Sequence, residues 1–310
     1  MKKKYFAFLT SADFVTITFL ICLSVVEIVF HNRLNLWYVL IIRNAASLLF
    51  ILNIAQYVER RKENVSPVIR SARDWYLVPA ILFIYTQASS IAHSLHGRDY
   101  DDILIGIDRL LFGIDPTVWI FQFAHPVITE ILQLAYSSYY LFFIALFLEF
   151  YRRNDRTEFY SGAMMIVYGF YLSYIGYLLL PAVGPRFMLH NFFSYDAELP
   201  GLFLTPFLRD VINAGGGIIA GVPNPIEYVH RDAFPSGHTQ LTLTAMYLAF
   251  TKRSMHRWWL LVVGSLLIIA TIYLRYHYLI DVLAGVAFFF FTIWSGKHLD
   301  RWWNKLIKNL

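Results

Sequence analysis

Long apolar runs separated by short polar segments dominate the sequence, and this alternation restricts the fold more than any other feature. A helix needs about 20 mostly apolar residues to cross a bilayer. The runs that reach or approach this length are 13–30, 34–57, 75–95, 126–151, 159–181, 237–251, 257–275 and 279–296. The pattern predicts an all-α fold, a polytopic membrane helix bundle with about eight transmembrane helices, of which the sixth is short.

The composition agrees with a membrane protein and argues against a water-soluble domain. The 310 residues are 58% hydrophobic and 15% charged, whereas soluble domains are about a quarter charged. No small-residue cleavage site follows 13–30, so we interpret this run as the first span and not as a signal peptide. Cys22 is the single cysteine, which excludes an intrachain disulfide.

The basic residues indicate how the spans are oriented. Of the 26 lysines and arginines, 18 fall at the termini and in alternate loops, as the positive-inside rule requires of cytoplasmic segments. They are Lys2–Lys4, Arg60, Arg61, Lys62, Arg70, Arg73, Arg152, Arg153, Arg156, Lys252, Arg253, Arg257, Lys297, Arg301, Lys305 and Lys308. We therefore expect a multi-pass protein of the plasma or inner membrane, with both termini cytoplasmic and the phospholipid bilayer as its environment. Because these short basic clusters between apolar runs do not form a continuous stripe, we expect no nucleic-acid partner.

Two further segments lie on the opposite, outer side in this topology. The spacing of apolar residues in 99–116 predicts a helix in the interface plane. The long loop 181–234 is typical of a lid or a re-entrant segment. Within the spans, we expect Glu27 and Arg43 to form an ion pair between the first two helices.

Three polar clusters fall on that same outer side. They are Gly184-Pro185-Arg186, Pro235-Ser236-Gly237-His238, and the stretch 275–281, which contains Arg275, His277 and Asp281. Because three distant stretches converge on one membrane depth, we predict that they form a single site.

His277 and Asp281 are four residues apart and would share one helical face. The carboxylate can then accept a hydrogen bond from one ring nitrogen and leave the lone pair of the other nitrogen free. By itself this spacing is weak evidence, because a simple stabilising pair at a helix start has the same pattern.

Pro-Ser-Gly-His at the start of a helix is a more specific signal. Proline suits the first helical position, and the free amides that follow can hold phosphate oxygens. Gly237 allows close approach of a ligand to the backbone. The alternative is an ordinary N-terminal cap.

Arg186 and Arg275 suit a phosphate dianion, because the guanidinium binds two oxygens and keeps its charge. Either arginine could instead extend to lipid headgroups. Tyr136, Tyr139 and Tyr140 could line a groove for lipid entry, although we favour aromatic core packing.

Pro235-Ser236-Gly237-His238 followed by His277-x-x-x-Asp281 resembles the type 2 phosphatidic acid phosphatase superfamily. The resemblance implies a six-helix core at 74–296, preceded by two additional helices in 1–73 and followed by a basic cytoplasmic tail at 297–310. Three features depart from the family pattern: Leu179 replaces a lysine, Phe187 replaces a proline, and Ala270-Thr271 replaces Ser-Arg. Several of the motifs look more like the branch of inositol phosphorylceramide and sphingomyelin synthases.

The resemblance implies a mechanism in which His277, oriented by Asp281, attacks phosphorus while His238 protonates the leaving oxygen. Arg186, Arg275, Ser236 and Gly237 would bind the phosphate oxygens, with no metal and no cofactor. The leading hypothesis is a lipid phosphate phosphatase that forms a phosphohistidine on the non-cytoplasmic side. A lipid phosphotransferase and a non-catalytic lipid binder or scramblase are the alternatives. The lipid substrate and the oligomeric state stay open.

Overall fold

The computed structural model describes residues 7–153, 155–219 and 221–309, and within these ranges it contains helices and no strand. The predicted all-α class is therefore confirmed. Lys2–Lys4, part of the topology argument, lie outside the described residues.

The helices follow one another along the chain with short connections. They are α1 Ser11–Val29, α2 Trp37–Arg61, α3 Pro67–Trp75, α4 Leu77–His96, α5 Asp101–Phe112, α6 Pro116–Ile120, α7 Pro126–Ser137, α8 Tyr139–Arg152, α9 Arg156–Leu179, α10 Pro185–Met188, α11 Tyr195–Glu198, α12 Thr205–Gly215, α13 Gly237–Thr251, α14 Arg257–Tyr273 and α15 Leu279–Asn309. Single 3₁₀ turns occur at His31–Arg33, Lys62–Asn64, Phe121–Phe123, Phe192–Ser194 and Pro225–Glu227.

All eight predicted runs are helical, and the chain is a multi-pass membrane protein. Five helical segments are long and apolar enough to cross a bilayer, namely α1, α2, the run from Pro67 to His96, α9 and α15. The pair α7 and α8 is bent by 44° and adds a sixth span if the two helices are counted together. The α13 and α14 helices have 15 and 17 residues, fewer than the roughly 20 residues of a typical crossing.

The short α13 helix lies inside the bundle, where it packs against α8, α9, α14 and α15. The side chain of Gln240 on this helix is buried and paired within the protein. The amide of Gln240 donates to the Gly169 carbonyl at 3.0 Å and to the Thr292 hydroxyl at 2.9 Å, and its oxygen accepts from Ser173 at 2.5 Å. Burial of these groups is compatible with the apolar surroundings because each one is satisfied.

The two N-terminal helices differ in how closely they join the bundle. The α1 helix packs along α9, where Phe19 stacks on Tyr171 with ring centroids 4.6 Å apart. Arg73 on α3 pairs with Asp13 on α1, and both side chains are buried. The predicted division after residue 73 falls within α3 and stays a prediction. The α2 helix packs mainly against α1 and α3.

The two ends of the bundle have different characters. At one end the Trp303 indole donates to the Leu9 carbonyl at 3.1 Å, which joins the start of α1 to the last turns of α15. At the other end lie α5, α6 and the loop 180–236. The predicted helix in 99–116 is observed as α5, and the long predicted loop contains α10, α11 and α12. This second end holds the candidate site.

Candidate active site

A cavity of about 460 Å³ opens at the second end of the bundle, between α7, α12 and the turns before α13 and α15. His238, His277, Arg186 and Asp232 contribute its polar groups. Aromatic rings form much of the wall, and α12 covers one side with apolar residues. The lining residues are Tyr85, Tyr136, Ser137, Tyr139, Tyr140, Val183, Arg186, Phe207, Leu208, Val211, Ile212, Gly215, Gly216, Val229, Asp232, His238, Tyr276 and His277.

The two imidazoles predicted from the sequence face each other in this cavity. Nε2 of His277 lies 3.4 Å from Nδ1 of His238, and the ring centroids are 5.6 Å apart. The residues are 39 positions apart in the chain. The structure therefore brings the Pro235-Ser236-Gly237-His238 cluster and the 275–281 cluster together, as the sequence predicts.

The ring of His277 is held by a backbone carbonyl, and a carboxylate lies near the same ring nitrogen. Nδ1 donates to the Ala233 carbonyl at 2.8 Å, whereas the Asp281 carboxylate lies 3.6 Å from the same nitrogen. A proton on Nδ1 leaves the Nε2 lone pair directed at the cavity. The predicted neighbour Asp281 is thus in place, but the hydrogen bond that orients the ring goes to Ala233.

Asp281 links the two histidine motifs through its backbone and side chain. Its carbonyl accepts from the Ser236 amide at 2.9 Å, and its carboxylate accepts from the Tyr278 amide at 2.8 Å. The side chain is fully buried, and its Oδ1 makes no hydrogen bond with the described residues.

His238 lies between two tyrosine rings. The ring centroids of Tyr136 and Tyr139 lie 4.5 Å and 4.4 Å from that of the imidazole. The Tyr139 hydroxyl donates to the Gly237 carbonyl at 3.2 Å, which fixes the turn that carries His238. Tyr136, Tyr139 and Tyr140 line the cavity, so the core packing that we favoured describes only part of their role.

Ser236 and Gly237 lie behind the cavity wall. The Ser236 hydroxyl accepts from the Thr239 amide at 3.2 Å and acts as the N-cap of α13, while its own amide donates to Asp281. A methyl group on Gly237 would come within 2.3 Å of the Tyr177 hydroxyl. The N-cap alternative thus describes Ser236, and phosphate binding by these two residues stays a prediction.

Arg186 lines the cavity, as predicted. Its Nη1 donates to the Asn213 side chain at 2.9 Å, and its guanidinium lies 4.9 Å from the Tyr276 ring centroid. Gly184 before it has a φ of +93°, and a side chain there would lie 2.7 Å from the Tyr276 carbonyl. Only glycine accepts both constraints without strain.

The carboxylate of Asp101 on α5 fixes the turn that precedes Arg186. It accepts the Val183 and Gly184 amides at 3.0 Å and 2.8 Å, and it also accepts from the Tyr278 hydroxyl. Burial raises the pKa of Asp101, although these three hydrogen bonds act in the opposite direction. The Asp101 carboxylate therefore holds the Gly184-Pro185-Arg186 cluster and the 275–281 cluster together.

Arg275 is not among the residues that line this cavity, and its role as a phosphate ligand stays a prediction. Its side chain is 1% exposed, donates from Nη1 to Glu198 at 2.5 Å, and lies over the Phe121 ring. The Ser194 hydroxyl and Arg275 together lower the pKa of Glu198. Nε and Nη2 of Arg275 have no hydrogen-bond partner among the described residues. The backbone does contribute to the site, because the Arg275 carbonyl accepts from the Arg186 amide at 3.0 Å.

Asp232 is a polar group of the cavity that the motif analysis did not assign to the site. It accepts from the Tyr85 hydroxyl at 2.5 Å, and that hydroxyl lies 3.1 Å from Nδ1 of His230. Burial lowers the pKa of His230. The sequence feature that could have identified Asp232 is its position six residues before His238, in the segment that also supplies the Ala233 carbonyl.

Within residues 7–153, 155–219 and 221–309, no group of three or more His, Cys, Asp and Glu residues is placed to hold a metal ion.

Fold and cavity together define a multi-pass helical membrane protein with paired imidazoles at one end of its bundle. Residues 103–295, more than half of the chain, match the model of the PAP2 superfamily. The chain belongs to this superfamily, which confirms the resemblance and supports a phosphatase-type function.

One curated relative is a PA-phosphatase related-family protein from Dictyostelium discoideum, 28% identical over 194 residues. The alignment covers 56% of this chain and 33% of the relative, so the chain spans about a third of that protein's length. Comparison with solved structures gave no significant match.

Proposed function

We propose that the chain is a lipid phosphate phosphatase that works through a phosphohistidine intermediate on the non-cytoplasmic side of the membrane. The observation that carries the proposal is the position of His277, whose Nε2 lies within hydrogen-bond distance, 3.4 Å, of Nδ1 of His238 in a cavity that also contains Arg186. A nucleophile, a proton donor and a cation are the three groups that phosphoryl transfer requires.

In the first step, Nε2 of His277 forms a bond to phosphorus while the bond from phosphorus to the ester oxygen breaks. His238 gives its proton to that oxygen, and the lipid alcohol leaves. In the second step, water attacks the phosphohistidine, His238 takes the proton of the water, and inorganic phosphate is released with His277 restored. Asp281 stabilises the positive charge on His277 during both steps, and Ala233 keeps the ring in position.

Arg186 is the cation best placed to balance the charge on the phosphate oxygens, because it lies in the wall that contains both imidazoles. Positioned cationic donors provide much of the catalysis in phosphoryl transfer. Since this mechanism assigns no step to a metal, we expect turnover to persist in excess chelator.

The lipid would enter from the bilayer through the apolar side of the cavity. Residues of α12 and the tyrosines of α7 and α8 supply this wall. Such a surface suits the glycerol or polyprenyl part of a lipid phosphate, while the polar groups hold the phosphate.

Asp232 favours a second candidate function, a lipid phosphotransferase. A carboxylate in the same cavity as the two histidines can accept a hydrogen bond from an incoming alcohol, which then takes the place of water. Phosphate release measured beside the formation of a new phosphodiester lipid, with and without added inositol or ceramide, distinguishes the two reactions.

The first prediction concerns the two histidines. With purified protein and a panel of lipid phosphates, His277→Ala and His238→Ala are expected to lower turnover by at least about 1,000-fold, because each removes a reacting group. His125→Ala is the matched control, since this residue lies outside the cavity and should retain activity. With a lipid substrate that carries radioactive phosphate, the wild-type protein should become covalently labelled, and the His277→Ala protein should not. If the His277 variant kept every measured activity, a non-catalytic lipid binder or scramblase would become the better description.

A further inference from the structure

A second opening lies between the N-terminal helices. It is a groove of about 750 Å³ bounded by α1, α2, α3 and α4. Its walls are apolar, with Leu20, Phe50, Phe83 and Ile84 among them, and Arg43 is its only charged residue. It shares no lining residue with the cavity of the two histidines.

The groove borders α2, the least covered of the long spans. Only 17% of the apolar stretch of α2 is buried, the smallest fraction of the five long spans. In a bilayer, an apolar surface that the protein leaves uncovered is in contact with lipid chains. A lipid chain is therefore the occupant that the surroundings supply.

Arg43 lacks the partner that the sequence suggested. Glu27 accepts instead from Asn44 at 2.9 Å and from Gln87 at 2.6 Å, and no ion pair within 4 Å joins it to Arg43. The Arg43 guanidinium stacks on the Phe83 ring, 4.4 Å from the centroid, and donates no hydrogen bond to the described residues.

The position of Arg43 along α2 matches a lipid headgroup. It lies six residues after the start of α2 at Trp37, or about 9 Å along the helix axis, and an arginine side chain can extend over that distance to the interface. This end of α2 is the end that carries the histidines, since Arg33 before it donates to the Leu95 carbonyl near the end of α4.

We propose that this groove is a phospholipid-binding site, separate from the catalytic cavity, for an anionic phospholipid of the adjacent leaflet. Arg43 binds the phosphate of the headgroup through its free N–H groups. An acyl chain fills the groove between α2 and α4, in contact with Phe50 and Phe83. The phosphate oxygens thereby accept the hydrogen bonds of the Arg43 guanidinium, which donates none to the described residues.

The test is lipid binding to the purified full chain after delipidation, measured by native mass spectrometry with phosphatidylglycerol as the probe. Arg43→Gln is expected to remove one bound lipid, or to weaken its binding about tenfold, as expected for loss of a charge-assisted hydrogen bond. Arg98→Gln is the matched control, because Arg98 stacks on Tyr100 at 4.3 Å without bordering the groove. Glycerol phosphate, which carries the headgroup phosphate without chains, should not bind at this site.

A second variant keeps the charge and fills the groove. Ala46→Trp retains Arg43 and places a large ring among the lining residues, so it should remove the same lipid even if Arg43→Gln fails to fold. Arg186→Gln should leave this lipid bound, because Arg186 belongs to the other cavity. Equal lipid binding by wild type and Ala46→Trp, or an equal loss in Arg98→Gln, would overturn the proposal. Neither result depends on the reaction proposed for the histidines.

Discussion

Arg186 and Arg275 show how two similar residues in neighbouring motifs come to differ in role. Arg186 lies in the cavity wall, while the side chain of Arg275 is buried against Glu198 and Phe121. Their backbones nevertheless meet, since the Arg186 amide donates to the Arg275 carbonyl. Arg275 thus positions Arg186 through its main chain, whatever its side chain does.

Substitution separates these two roles. Arg186→Gln is expected to lower kcat/KM about 100-fold or more, because it removes a cation from the developing charge, and to leave the thermal stability unchanged. Arg275→Gln is expected to cost roughly 2 kcal/mol of stability through loss of a mostly buried pair, with a smaller effect on turnover. Steady-state kinetics and thermal unfolding of both variants decide this. A large kinetic loss in Arg275→Gln at normal stability would mean that its side chain reaches the substrate.

His190, beside the Arg275–Glu198 pair, should make stability depend on pH. Burial, together with the charge of Arg275, lowers its pKa to about 4, and Nε2 lies 3.1 Å from the Thr117 hydroxyl. Asp115 and Glu198 act in the opposite direction. Because the folded-state pKa lies below the ordinary value, the unfolded chain binds the proton first, and stability falls as the pH decreases from about 6.5 towards 4.

The measurement is thermal unfolding in detergent at pH 7 and at pH 5. His190→Gln should reduce the difference between the two pH values by roughly 1–2 kcal/mol, a figure discounted for the partial exposure of the ring. His298→Gln, at an exposed position on α15, is the control and should change the difference little. Equal pH dependence in wild type and His190→Gln would contradict the prediction.

At the scale of helices, the site depends on close contact between α13 and α15. A methyl group on Gly285 of α15 would lie 2.6 Å from the Ser236 carbonyl and 3.0 Å from Thr239. The backbone of α15 thus touches the turn that presents His238. Asp281, one turn earlier on the same helix, adds the hydrogen bond from the Ser236 amide.

Gly285→Ala should therefore separate the two histidines. Overpacking of this kind costs about 1–3 kcal/mol, and because the distance between the imidazoles depends on it, we expect turnover to fall as well. Gly106→Ala on α5 is the matched control, since nothing lies within 4 Å of the added methyl group there, and alanine is favoured over glycine in a helix. Normal activity in Gly285→Ala would show that the contact is not needed to position the site.

Helices were easier to predict than the directions of side chains. Each apolar run formed a helix because its length and composition decide this locally. The bend at Ser138 between α7 and α8, and the continuation of α15 to Asn309, were not visible in hydropathy. Arg275 could not be placed from its motif, because its partner Glu198 is 77 residues away. Asp232 belongs to no motif that we recognised, and only the packing of α4 on the segment before α13 brings Tyr85 to it.

At the scale of the whole molecule, the histidine cavity lies at one end of the bundle and a basic turn lies at the other. The histidines, the cavity and α12 occupy one end, while Glu149, Arg153 and the turn that contains Met255 occupy the other. Lys252, Arg253 and Arg257 surround that turn. The positive-inside rule predicts that such a turn is cytoplasmic and that the histidine end is on the outside.

Labelling of single cysteines in intact cells tests this orientation. In a Cys22→Ser background, Phe203→Cys places a thiol at an 85% exposed position near α12, and Met255→Cys places one at a 76% exposed position at the basic end. A membrane-impermeant maleimide should label the first in intact cells and the second only after permeabilisation. The reverse pattern would place the imidazoles in the cytoplasm. The lipid substrate would then have to come from the inner leaflet, and so would the anionic lipid of the Arg43 groove, since both sites lie at the same end of the bundle.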